Sequence, residues 1–211
     1  MEYTIDGNTF QTLHVTLSSY EYFYAERKAL VAMDAHTEYD VLGNGKSIFS
    51  IISARLAGES VFLTRFYNRT SSTSGIVLAG KANSIQQVKL DESQPFIMRR
   101  GSYLASDSRM KICLHFSLNK MLKGTEPAFQ SVRGNGTLFF TTVDRPVRIT
   151  LQCGQEIVVD ENRLKALHGI PDSRINLQRK CNVFRNMLAG EGLFLTRITG
   201  PGTVYLSAVA P

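Results

Sequence analysis

The sequence predicts an all-β protein, mainly strands with a few short helices, built from three internal β-rich repeats around a pseudo-threefold axis. Three observations carry that expectation. Short stretches alternate apolar and polar residues at period two, as Leu13, Val15 and Leu17 do, which is the pattern of a strand with one buried face. The run Ala57-Gly58-Glu59-Ser60-Val61-Phe62-Leu63-Thr64-Arg65 returns almost unchanged as Ala189-Gly190-Glu191-Gly192-Leu193-Phe194-Leu195-Thr196-Arg197. Between them a weaker copy reads Arg133-Gly134-Asn135-Gly136-Thr137-Leu138-Phe139-Phe140-Thr141. A unit used three times speaks for repeat architecture, and packing of its own apolar residues explains it without any chemistry.

Taken in order, the chain opens with strands from Tyr3, and Tyr20, Tyr22 and Tyr24 resume the alternation after a one-residue shift. Ala29–Met33 begins the first unit, with counterparts at Ser102–Ser106 and Arg163–Leu167. Ala32, Ala105 and Ala166 then share one equivalent position, where a small side chain suits close backbone packing. After the turn Gly43-Asn44-Gly45, the spacing of Ile48, Ile51, Ile52 and Leu56 predicts an amphipathic helix, as do Val183, Phe184, Met187 and Leu188 in the third unit. Leu118, Met121 and Leu122 offer a shorter version ended by Pro127. Gly58 and Gly190 suit left-handed helix caps. The motif strand follows, with Val61, Leu63 and Arg65 on one face. In the third unit Gly200-Pro201-Gly202 predicts a type II turn into the strand Thr203–Leu206. The first unit has instead the polar, mobile loop 68–75. No linker separates the units, so they are expected to form a single body with boundaries near 1–82, 83–153 and 154–211.

Hydrophobic residues make up 43% and charged residues 20% of the 211, a balance that excludes a disordered chain. A formal charge of +6 admits a polyanionic partner. The basic residues are scattered, however, and their densest groupings are the pairs Arg27-Lys28, Arg99-Arg100 and Arg179-Lys180, which read as solvated faces. Cys113, Cys153 and Cys181 have no CxxC spacing and suit reduced thiols. The N-terminus has neither a secretory nor a transit-peptide pattern, and no run of apolar residues is long enough to span a bilayer. A soluble, cytoplasmic protein is expected.

Ala189–Arg197 followed by Gly200-Pro201-Gly202-Thr203-Val204-Tyr205-Leu206 resembles the closing signature of the altered inheritance of mitochondria protein twenty-four family, a mitochondrial biogenesis family whose bacterial members form a domain of unknown function. Tyr24 to Met33 and Ala57 to Phe66 are similar to the family pattern as well. The resemblance implies a β-rich fold similar to the tryptophan RNA-binding attenuator protein, related to double-stranded β-helices, and no established enzyme activity. Mitochondrial members are associated with inner-membrane organisation; this chain looks bacterial. It departs from the family in the short Gly43-Asn44-Gly45 stretch and in the loop from Asn68 to Gly75.

No catalytic, cofactor-binding or metal site is expected. There is no Gly-x-Ser-x-Gly elbow, and His14, His36, His115 and His168 have no i, i+4 partner. Cys113 and His115 share a strand face, which is half a metal site at most; a half-buried strand that gives the imidazole a polar partner explains them better. Gly45-Lys46-Ser47 matches the tail of a phosphate loop, but Asp40 stands where the leading glycine is required. Asp160-Glu161 reads as turn chemistry. The repeated pairs Glu59/Arg65 and Glu191/Arg197 are too far apart to meet within one strand, about 20 Å at strand rise. They are expected as structural ion pairs at unit junctions, with anion binding as the other role. These observations predict a non-enzymatic, homo-oligomeric interaction or scaffold protein with an unknown protein partner. The alternative is an RNA-binding module using Tyr20, Tyr22, Phe23 and Tyr24 ahead of Arg27 and Lys28.

Overall fold

A computed structural model describes residues 1–42, 63–115, 129–179 and 194–209. These residues are nearly all β. In chain order they form β1 (Glu2–Asp6), β2 (Thr12–Leu17), β3 (Tyr22–Glu26), β4 (Leu30–Met33), β5 (Glu38–Leu42), β6 (Leu63–Tyr67), β7 (Ser74–Ala79), β8 (Ser84–Leu90), β9 (Phe96–Arg99) and β10 (Tyr103–Ser106). They continue through β11 (Lys111–Leu114), β12 (Phe129–Arg133), β13 (Gly136–Thr142), β14 (Val147–Leu151), β15 (Glu156–Asp160), β16 (Leu164–His168), β17 (Ile175–Arg179), β18 (Phe194–Thr199) and β19 (Gly202–Leu206). Two single 3-10 turns, Glu161–Arg163 and Asp172–Arg174, flank β16. The expected helices at 48–56 and 183–188, their caps at Gly58 and Gly190, and the stretch Gly45-Lys46-Ser47 lie outside the described residues.

The chain divides into two compact units whose segments interleave along the sequence, and their limits differ from the expected repeat boundaries. The first comprises Met1–Glu92, Gly101–Cys113 and Arg133–Val143. It holds one sheet in the order β1-β2-β7-β4 and another in the order β5-β6-β3-β10-β13-β8. Leu13, Val15 and Leu17 are buried as their alternation predicts, against Phe23, Ala25, Phe66, Ile76, Leu78, Leu104 and Phe139. Tyr3 meets Phe139 edge to face at 5.0 Å. Each such fully buried large apolar side chain contributes about 1.5–3 kcal/mol. The shift of register after β2 has a local cause: Tyr20 takes a left-handed φ of 62°, so the strand restarts with Phe23 and Ala25 inward and the tyrosines outward.

The second unit comprises Ser93–Arg100, Leu114–Val132 and Asp144–Pro211. Its strands belong to a sheet in the order β11-β12-β9-β16-β19-β14 and a smaller one in the order β15-β18-β17; β11 and β12 carry the chain across the unit boundary. Ile97, Phe129, Leu151, Leu164, Leu167, Ile198 and Val204 are among the residues that fill its core.

Three strand pairs share one irregularity. The register shifts between Leu30 and Ala32 where β4 meets β7, between Tyr103 and Ala105 where β10 meets β13, and between Leu164 and Ala166 where β16 meets β19. In each a single residue, Val31, Leu104 or Lys165, is bulged out just before the alanine. The three alanines thus occupy matching positions, but their surroundings differ: Ala105 and Ala166 are fully buried, whereas Ala32 is exposed because β4 is a sheet edge. The same registers correct the middle copy of the motif. β13 pairs with a bulged strand, as β7 and β19 do, while β6 and β18 do not. Gly134-Asn135-Gly136-Thr137-Leu138-Phe139-Phe140 therefore corresponds to Gly200-Pro201-Gly202-Thr203-Val204-Tyr205-Leu206, not to the run ending at Arg197.

Two turns differ from expectation. Gly202 has the positive φ, at 149°, but the Gly200–Pro201 peptide is cis. The loop after β6 is organised by buried Asn68, whose side-chain amide donates to the carbonyls of Leu17 (3.2 Å) and Ser72 (2.6 Å) and whose Oδ1 accepts from the Thr70 amide (2.9 Å).

Candidate functional site

In an antiparallel pair, directly opposed residues share a face. Across β3, β6 and β5 one face gathers Tyr22, Tyr24, Tyr67, Arg65, Glu38 and Asp40, because Tyr67 opposes both Tyr22 and Glu38 and Arg65 opposes both Tyr24 and Asp40. Arg65 donates from Nη2 to Asp40 Oδ2. Its guanidinium lies 5.3 Å from the Tyr22 ring centre and 5.5 Å from that of Tyr67, within cation–π range. Arg69 sits 4.9 Å over Tyr67 and 3.6 Å from Glu38. The hydrogen bond to Asp40 raises the pKa of Arg65, and that of Tyr67 is raised first by its hydrogen bond to Glu38 and then by burial. The Arg65 guanidinium stays charged and the Tyr67 phenol stays protonated near neutral pH. Among the described residues the two cations of this face are matched by two carboxylates.

The second copy of the motif builds a plainer version. Arg197 on β18 opposes Val158 of β15 and Asn176 of β17. It donates from Nη1 to Glu156 Oε2 at 2.9 Å, and Thr199 Oγ1 donates to the other oxygen of Glu156 at 3.1 Å. Neither opposing residue is a tyrosine. Glu59 and Glu191, the expected partners of Arg65 and Arg197, lie outside the described residues; the carboxylates that contact these arginines within their own sheets are Asp40 and Glu156. Sequence reasoning met Asp40 only as a residue that spoils a phosphate loop. Its link to Arg65 follows from strand register, which spacing along the chain does not reveal.

A third feature is an edge. β4 ends the sheet β1-β2-β7-β4, and its side chains are apolar yet open to solvent, Leu30 at 40% and Val31 at 60%. It carries none of the charges or prolines by which free edges are ordinarily blunted. β15 ends the sheet β15-β18-β17, with Val158 exposed at 49% between the charged ends Glu156 and Asp160.

The remaining polar clusters have structural explanations. His115 Nε2 meets Asp172 Oδ1 at 2.7 Å, which supplies the polar partner expected for the imidazole. Among the described residues no three metal-ligating side chains converge. Arg99 is held by the carbonyls of Leu164 (2.9 Å, from Nε) and Glu161, with its guanidinium 4.4 Å over Phe129. Burial lowers its pKa and raises that of Glu161. Asp144 fastens the chain end, accepting from Ser207 Oγ and the Ala208 amide at 2.6 Å each. No helix among the described residues is long and apolar enough to cross a membrane.

No curated protein matches the chain. A crystal structure of a protein from Streptococcus pyogenes superposes with a TM-score of 0.74, covering 99% of this chain and 94% of that one at 20% identity; at such identity the likeness is one of fold. The family model of mitochondrial biogenesis AIM24 matches residues 3–209. That span contains both copies of the Ala-Gly-Glu motif and the closing strand from Gly202, and the chain belongs to the mitochondrial biogenesis AIM24 family.

Proposed function

We propose that the protein is a non-enzymatic interaction or scaffold protein that works as a homo-oligomer in the cytoplasm. The observation that carries this reading is the apolar, uncharged edge at β4, with Leu30 and Val31 in solvent. An unpaired row of backbone donors and acceptors lined by such side chains is a template for another strand. The face around Arg65 fits the same reading, since tyrosine and arginine are the residue types most enriched where proteins meet.

The RNA-binding alternative draws on the tyrosines beside Arg65 and Arg69. Asp40 and Glu38 answer those two cations, so the patch offers little net charge to exchange for counterions. Native mass spectrometry of the freshly purified protein at low salt tests both readings. A clean oligomer with no added mass is the expected result. Monomer mass would remove the scaffold reading, and oligonucleotide mass that is lost as salt rises would put RNA binding in its place.

A further inference from the structure

The geometry points to Lys165 as a nucleophilic amine that accepts the acyl group of an acyl phosphate, a stoichiometric modification that asks for no catalytic turnover. Every residue that places this side chain belongs to the second unit. Lys165 is the residue bulged out of β16 where that strand meets β19. A bulge re-aims the side chain it carries. Here the four-carbon stem turns back along the 3-10 turn Glu161–Arg163 until Nζ lies 3.5 Å from the Asn162 carbonyl. A hydrogen bond that long holds the ammonium only weakly.

A second cation occupies the same turn. Arg99 donates from Nη2 to the Glu161 carbonyl and from Nε to the Leu164 carbonyl, the latter at 2.9 Å. Arg163 is fixed as well, donating from Nη1 to the carbonyls of Ala208 and Ser207. Guanidiniums do not give up their proton in proteins, so the half-buried amine is the one group of the three able to shed its charge. Its pKa is lowered first by burial and then by the charge of Arg99; Asp144 opposes this and Arg163 adds to it. The Asp144 oxygens are shared with Ser207 Oγ and the amides of Ala208 and Val209. A lysine partly withdrawn from water and set beside another cation is the arrangement that makes an amine nucleophilic.

The same positive charge selects the reagent. An acyl phosphate carries its negative charge on the group that must leave, so fixed guanidiniums draw it in and stabilise the departing phosphate. The neutral Nζ attacks the acyl carbon, and a C–N bond forms as the C–O bond to phosphate breaks. Inorganic phosphate departs with the bonding pair, and the proton left on nitrogen passes to water. The amide that results carries no charge, which removes one of three neighbouring positive charges.

The full chain is incubated with acetyl phosphate over a series of pH values from neutral to alkaline, and acetylation at each lysine is followed by peptide mass spectrometry. Lys28, Lys89 and Lys111, exposed on the first unit, are the internal reference. Near neutral pH Lys165 is expected to react faster than any of them, by roughly threefold or more, and its rate to level off at a lower pH than theirs. Arg163→Gln takes away one cation without emptying the place over Phe129 that Arg99 fills. It is expected to shrink the excess at Lys165 and leave the reference lysines unchanged, while Arg163→Lys keeps the excess. A Lys165 rate at or below that of the reference lysines overturns the assignment. An excess that follows the same pH course as theirs, or that is indifferent to Arg163→Gln, overturns it too, because either result reports access rather than an activated amine.

Discussion

At the scale of single residues, backbone conformation and burial decide what can change. Gly202 has φ of 149°, and a Cβ there would stand 2.4 Å from Ile170 Cγ1 and 2.7 Å from the His168 carbonyl oxygen. Gly101 also has a positive φ, 79°, but open space around it. Gly101→Ala is expected to cost only the backbone term, about 1 kcal/mol, whereas Gly202→Ala adds a clash with main chain and should cost roughly 2–4 kcal/mol. Urea denaturation of the two variants side by side checks the order. His168 makes a second case. Its Nε2 is buried with no hydrogen-bond partner, and burial, followed by the charge of Arg148, lowers its pKa. The unfolded chain therefore takes up a proton near pH 6.5 that the folded one refuses. Stability is expected to fall as pH drops through about 6.5 toward the lower folded value, and His168→Gln should flatten that slope in unfolding midpoints measured between pH 7 and pH 5.

At the scale of elements, side-chain ladders hold edge strands to their sheets. β5 is bound to β6 by its backbone pairs and by Asp40–Arg65 and Glu38–Arg69. Arg65 is also shared with two tyrosine rings, whereas Arg197 has Glu156 alone among charged partners described. Both ion pairs are partly exposed, which limits each to about 1 kcal/mol or less. Arg65→Gln should therefore destabilise more than Arg197→Gln, by roughly another 0.5–1 kcal/mol from the ring contacts. Hydrogen exchange should speed up first at the β5 amides. Equal effects on global stability and unchanged β5 exchange would show that the ladder does not hold the edge. How much of this was legible follows from what repeats in sequence. Period-two alternation located β2, and the alanines before β7, β13 and β19 marked strands that share a bulge. The middle motif was misaligned because glycine and aromatic spacing alone fits two different strands. Only the pairing partners, β3 for β6 but β10 for β13, tell them apart. Asp40 and Glu156 were illegible for the same reason: a cross-strand ion pair is fixed by register, and register is not local.

At the scale of the whole molecule, the all-β class could be read from composition and alternation, while the division into two interleaved units could not. Segments 93–100 and 101–113 adjoin in sequence yet belong to different units, because sheet membership is set by long-range pairing. Among the described residues the same pairing leaves β4 and β15 as sheet edges. If copies meet through these edges, the folded state is drawn forward by mass action and the unfolded state is not. The thermal midpoint of the full chain is then expected to rise with protein concentration, by roughly 2 °C per tenfold for a chain of this size. Val31→Lys supplies the control. Val31 is 60% exposed, so lysine there should change the stability of an isolated chain by no more than about 0.5 kcal/mol. In a paired edge the same lysine places an unmatched charge between two strands. Calorimetry of the parent from micromolar to hundreds of micromolar should trace a rising midpoint, and Val31→Lys should stay flat at the parent's dilute value. A flat parent curve over that range would mean that folding owes nothing to association, and the case for a scaffold built through β4 would fall with it.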